Sequence, residues 1–72
     1  MMLRIKDLRE DHDLTQQEVA KILNCAQQTY SKYELGQLKI DITSLIKLAD
    51  FYNVSLDYIV GTTDKKKFKN KQ

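Results

Sequence analysis

The stretch Thr15–Gly36, TQQEVAKILNCAQQTYSKYELG, decides the fold. Thr15-Gln16-Gln17-Glu18 has the spacing of a capping box, in which the Thr hydroxyl and the Glu carboxylate each satisfy an orphan amide of the first turn. Leu14 and Val19 flank it at the N′ and N4 positions of a hydrophobic staple. Val19, Ala20, Ile22 and Leu23 then continue a helical apolar face, and Asn24, tolerant of the left-handed conformation, predicts its end. A second helix follows almost at once. Tyr30 and Tyr33 supply its inner side, Leu35-Gly36 its stop, and two neutral amides, Gln27 and Gln28, its opening.

Working outward, Leu3, Ile5 and Leu8 predict a helix ending near Asp11-His12-Asp13. Beyond Gly36, Gln37 to Ile40 reads as a loop. Asp41 is placed to cap a fourth helix, with Ile42, Leu45, Ile46, Leu48, Ala49 and Tyr52 at helical spacing. Ser55 caps a short fifth helix, with Val54 and Ile59 at N′ and N4, Asp57 near its positive end and Gly61 as its stop. Nothing alternates well enough for a strand, so the expected fold is all-α, five helices. Val19, Ala20, Leu23, Tyr30, Leu45, Leu48, Ala49, Val54, Leu56 and Ile59 form the expected core; Cys25 reads as a buried hydrophobe and His12 as polar surface.

At 72 residues the chain has room for one small domain. A chain near that size buries only ~60% of its extended surface, which leaves little for a deep catalytic pocket. The residues offer one His, one Cys and no glycine-rich phosphate loop, so no catalytic group, metal site or cofactor is expected. No apolar run reaches the ~18 residues that would span a bilayer. The opening MMLRIKDLRE is too charged for a signal peptide, and a lone cysteine fits a reducing compartment; the expected location is the cytoplasm. The formal charge of +2 is unevenly distributed. Residues 1–61 hold seven Lys/Arg against nine Asp/Glu, whereas TTDKKKFKNKQ (62–72) holds five Lys against one Asp. The domain is therefore expected over 1–61, followed by a basic, disordered tail over 62–72.

Two helices joined by a three- or four-residue turn have the geometry of a helix-turn-helix. The pattern LRxxxxLTQQEVA (8–20), the turn LNCA (23–26), TYSKYELG (29–36) and LIKLADFYNVSLDYIVG (45–61) together resemble the phage repressor/Cro-like (XRE-type) helix-turn-helix family, from about Leu3 to Gly61. That resemblance implies a lambda-repressor-like domain that regulates transcription, as a repressor, by binding double-stranded DNA at a palindromic operator. It further implies a homodimer with half-sites ~34 Å apart, its surface near the fifth helix at Phe51, Tyr52 and Tyr58.

The same resemblance places Gln27, Gln28, Ser31 and Lys32 against base edges. The physical reason fits the residue type: an amide both donates and accepts, and Gln pairs with adenine N6 and N7 for ~1–3 kcal/mol of discrimination. Lys32 could serve guanine or a phosphate; on spacing alone the two glutamines could equally be solvated helix-start residues. Thr15, Gln16, Gln37 and Lys39 are the expected phosphate contacts, which position without specifying sequence. Arg9 and Glu34 match a partly buried ion pair that sets the angle of the third helix.

Three departures matter. Ala26 stands where a Ser cap is usual, a loss of ~1 kcal/mol that could draw a glutamine amide onto the backbone. Leu38 and Ile40 replace a basic residue and a proline, leaving apolar candidates that either pack on the core or meet a regulatory protein partner. The body carries little positive charge, so affinity leans on dimerisation, specific contacts and the lysine tail. With no effector domain expected after Gly61, regulation would run through concentration, proteolysis or a partner. The alternative reading is an antitoxin or antirepressor that uses this fold as a protein-interaction module.

Overall fold

The computed structural model describes residues 3–61, which form five α-helices: α1 (Ile5–Asp11), α2 (Gln16–Leu23), α3 (Gln27–Leu35), α4 (Ile42–Tyr52) and α5 (Leu56–Val60). The basic tail expected over 62–72 lies outside the described residues.

Helix starts follow local chemistry. Thr15 Oγ1 accepts from the Glu18 N–H (3.1 Å) while the Thr15 N–H donates to Glu18 Oε1 (2.8 Å), completing the capping box of α2. Asp41 caps α4 through the Ser44 N–H (3.1 Å), and Ser55 caps α5 through the Tyr58 N–H (3.0 Å). Ends follow a second shared device. Asn24, Gly36 and Asn53 adopt φ of 58°, 75° and 58°. Past each of them the next N–H turns back to the chain: Cys25 to Ala20 O (2.9 Å), Gln37 to Lys32 O (2.9 Å) and Val54 to Ala49 O (3.0 Å). These closures satisfy carbonyls that would otherwise be orphaned. Only three residues, Asn24 to Ala26, therefore separate α2 from α3.

The core gathers Ile5 and Leu8 of α1, Val19, Ala20 and Leu23 of α2, Tyr30 of α3, Leu45, Leu48, Ala49 and Tyr52 of α4, then Val54 and Ile59. Both staple pairs place one member fully inside, Val19 and Ile59. α2 and α3 make the most extensive helix–helix contact. The residue before α1 is tied to α5 by the Arg4 N–H donating to Ile59 O (2.9 Å) and by the Arg4 guanidinium over the Tyr58 ring (4.5 Å).

Three residues, Leu56, Cys25 and Tyr52, differ from the sequence expectation. Leu56 and Cys25 are half-buried against the core rather than within it, Leu56 because α5 has only five residues and turns Ile59 inward instead. Ile42 (61% exposed) and Ile46 (42%) share helical spacing with Leu45 and Ala49 yet face outward. The apolar arc of α4 is wider than the core it covers. Tyr52, expected near a dimer surface, is 4% exposed, and the His12 ring packs on it at 4.8 Å. His12 itself is exposed, as expected of polar surface, with Nδ1 2.9 Å from Leu8 O.

Candidate nucleic-acid interface

α3 presents two faces. Tyr30 is fully buried and Tyr33 and Glu34 are half-buried, which fixes the inward side. Gln28, Ser31, Lys32 and Leu35 fall at i, i+3, i+4 and i+7 and form the outward stripe, with Gln27 beside it at the first turn. Gln27, Gln28 and Lys32 are exposed, and Ser31 is half-buried. Gln28 and Lys32 are about 6 Å apart along the helix axis, close to two base-pair steps of ~3.4 Å.

Ala26 holds the extended backbone of an N-cap, φ −71° and ψ 150°, but offers no side-chain hydrogen bond to α3. The first-turn amides of α3 are therefore uncapped, and both glutamines project at that open end. Gln16 begins α2, with Thr15 as its cap. The Thr15 oxygen is occupied by the Glu18 N–H, and its hydroxyl hydrogen remains a donor. Gln37 and Lys39 are exposed in the loop after α3. Leu38 beside them is exposed, whereas Ile40 is half-buried against the core.

Beneath this surface, Arg9 and Glu34 form a two-pronged pair. Arg9 Nε donates to Glu34 Oε2 (2.7 Å) and Nη2 to Oε1 (3.2 Å), while Nη1 donates to Leu14 O (3.0 Å). The side chains are 13% and 3% exposed. Such fork-to-fork geometry fixes orientation as well as distance. One arginine thereby joins α1 to α3 and to the turn before α2. Two features were not legible in the sequence. Gln16 Nε2 donates to Glu34 Oε1 (3.0 Å), so a residue expected to face a phosphate also faces this carboxylate. The buried Tyr30 hydroxyl stands beside Glu34 without a well-formed hydrogen bond. The two contacts join positions 18 residues apart or depend on packing depth, which no local spacing reports.

Electrostatics reflect this arrangement. Burial pushes the Glu34 carboxyl up, but the hydrogen bonds from Arg9 and Gln16, with the Tyr30 hydroxyl close by, outweigh it and hold the group below its ordinary range. Burial and the neighbouring Glu34 push the Tyr30 phenol far up. Because Arg9 neutralises Glu34 internally, the outward charges of residues 14–40 are Lys21, Lys32 and Lys39 against Glu18 alone. This segment is more positive outwardly than the composition of the body suggests.

A helix-turn-helix family model matches residues 5–59, nearly all of the described chain. This chain belongs to the phage repressor/Cro-like helix-turn-helix family. It is 39% identical over 61 residues to the uncharacterized HTH-type transcriptional regulator YobD of Bacillus subtilis, covering 85% of this chain and 54% of that one. It is 40% identical over 58 residues to the HTH-type transcriptional regulator ImmR of the same organism, covering 81% and 46%. The crystal structure of a transcriptional regulator from Listeria innocua superposes with a TM-score of 0.77 at 33% identity, over 85% of this chain and 57% of that one. The chain spans about half the length of the curated relatives it matches.

Proposed function

We propose that this helix-turn-helix chain is a sequence-specific regulator of transcription, acting as a repressor, that reads the major groove of double-stranded DNA with α3. The observation that carries this is the outward stripe of α3. Gln27, Gln28, Ser31 and Lys32 sit on a helix whose opposite side is locked by Tyr30 and by the Arg9–Glu34 pair. Polar groups held in fixed register are what base reading needs, since each good bidentate contact contributes ~1–3 kcal/mol only when its geometry is right. Thr15, Gln16, Gln37 and Lys39 flank the stripe and serve as phosphate contacts, which set register without reading sequence.

The protein acts as a symmetric homodimer on a palindromic operator, with one α3 in each of two successive major grooves. Of the three aromatic residues expected near the dimer surface, Phe51 is 46% exposed and Tyr58 half-buried, and both are available to a partner subunit, while Tyr52 is buried. We assign the protein to the cytoplasm, where its DNA is; no helix among the described residues is long and apolar enough to cross a membrane. Its work is binding rather than catalysis. A second reading, a protein-interaction module of antitoxin or antirepressor type, draws on the exposed Leu35, Leu38, Ile42 and Ile46. Selection of sites from a random duplex library separates the two. The DNA reading expects an enriched palindrome with half-sites about one helical turn apart. Folded protein that enriches no site at low salt would remove it and leave the protein-binding reading.

A further inference from the structure

Glu34 touches more than its ion-pair partner. Its Oε1 accepts both Arg9 Nη2 (3.2 Å) and Gln16 Nε2 (3.0 Å), and its Oε2 accepts Arg9 Nε (2.7 Å). One carboxylate, 3% exposed, thus holds a side chain from α1 and a side chain from the first turn of α2, while being itself part of α3. We infer that Glu34 is a positioning residue for the phosphate contact at Gln16, so that the phosphate-facing start of α2 and the base-reading face of α3 are set by a single group. The inference rests on the DNA-binding reading and extends it.

The chemistry of the amide makes the assignment directional. A carboxylate only accepts, so the amide nitrogen of Gln16, not its oxygen, must face Glu34. One of the two amide hydrogens is then occupied. The other remains, on an amide plane already fixed, beside the backbone N–H groups that open α2. A phosphate likewise only accepts, and a donor held in place before binding loses no rotamer freedom when the phosphate arrives. Gln17, the next residue, is exposed and has no such tether, so it provides an internal comparison. Arg9 contributes indirectly: by holding Glu34 at two atoms it fixes the acceptor to which Gln16 is tied.

The test uses the full chain on its selected duplex, with single phosphates replaced one at a time by uncharged methylphosphonate. At the phosphate that Gln16 contacts, replacement should weaken binding by the parent about tenfold or more, the worth of a hydrogen bond to a charged group. Gln16→Met should lose that sensitivity. Glu34→Gln should lose it at the same phosphate, because the altered residue no longer presents two acceptor oxygens to Arg9 and Gln16, and combining the two substitutions should lose no more. A Glu34 whose role is only to stabilise the fold would reduce the active fraction and leave the sensitivity unchanged, which overturns the inference. If Gln16→Met keeps the sensitivity of the parent at every phosphate, the phosphate contact fails while sequence-specific binding by α3 stands.

Should Glu34→Gln fail to fold, nuclear magnetic relaxation of the unaltered protein decides. The Gln16 side-chain amide should be nearly as rigid as the backbone, with an order parameter near ~0.85, while that of Gln17 falls below ~0.6. Equal mobility of the two amides in the free protein overturns the inference.

Discussion

Replacing Arg9 by Met tests whether the Arg9–Glu34 pair is a structural fixture or a surface ornament. Methionine keeps the stem of Arg9 but removes three donors, two to Glu34 and one to Leu14 O. Glu34 stays in place at 3% exposure with only the Gln16 amide and the Tyr30 hydroxyl nearby. Stranding one member of a buried pair costs about 3–5 kcal/mol, and the 13% exposure of Arg9 places this case toward the lower end. A domain over residues 1–61 is held by about 3–9 kcal/mol in all, so the variant should fold but be fragile. Urea titration followed by circular dichroism should show a midpoint about 2–3 M lower, at a slope of ~1–1.5 kcal/mol/M.

The pH dependence sharpens this. In the parent the Glu34 carboxyl is held below its ordinary value, because hydrogen bonds outweigh burial. Its contribution is therefore complete above the unfolded value of ~4.3 and is lost as pH falls through the lower folded value. Without Arg9, burial dominates and the folded value lies above the unfolded one. The penalty is then full at pH 7 and is relieved as pH approaches 4. The stability gap between parent and variant should narrow between pH 7 and pH 4. A gap under ~1 kcal/mol that does not vary with pH, the behaviour of an exposed ion pair, would refute the reasoning.

Two further substitutions probe features read from local geometry. Ala26→Ser places a hydroxyl at an N-cap whose backbone is already extended; it should stabilise the domain by ~1 kcal/mol and raise Tm by about 4–8 °C, as seen by thermal melting, and no gain would mean the first turn of α3 is already satisfied. Burial, reinforced by the charge of Glu34, pushes the Tyr52 phenol up to about 12. Its folded value exceeds the unfolded ~10, so its contribution is intact below pH 10 and about 2–3 kcal/mol of it is lost as pH rises from 10 to 12, beside a loss in the same direction from Tyr30. Tyr52→Phe removes a hydroxyl with no hydrogen-bond partner; it should change neutral stability by less than ~1 kcal/mol and make the alkaline loss shallower by the share of Tyr52, leaving that of Tyr30, measured by denaturation at pH 8, 10 and 12. An unchanged alkaline limb would place the loss in other groups.

What could be read in advance was what lies within one turn of helix. Thr15 with Glu18, Asp41 with Ser44 and Ser55 with Tyr58 are each three residues apart, so the caps of α2, α4 and α5 are visible as letters. Asn24 and Gly36 mark helix ends for the same reason: the left-handed conformation is a property of one residue. Depth was harder. Tyr52 and Phe51 are neighbours in sequence, yet one is buried and the other 46% exposed, because helical rotation turns them to different sides of α4. Ile42 and Ile46 carried the right spacing but lay at the edge of an arc too wide for a small core. The Arg9–Glu34 pairing came from the resemblance, since 25 residues of separation leave no local mark. The Gln16–Glu34 contact, at 18 residues, had no signal at all beyond the amide and the carboxylate themselves.

The central claim is that glutamine amides at the start of α3 read adenine. The most direct measurement is a cycle on the selected operator in which Gln27→Ala and Gln28→Ala are each combined with replacement of single operator adenines by 7-deazaadenine, which lacks the N7 acceptor. For at least one glutamine there should be one adenine position where either change alone weakens binding by about 5- to 150-fold and the two together weaken it scarcely more. Losses that multiply at every position, for both glutamines, would mean that neither amide touches an adenine edge, and the account of base reading by α3 would be wrong.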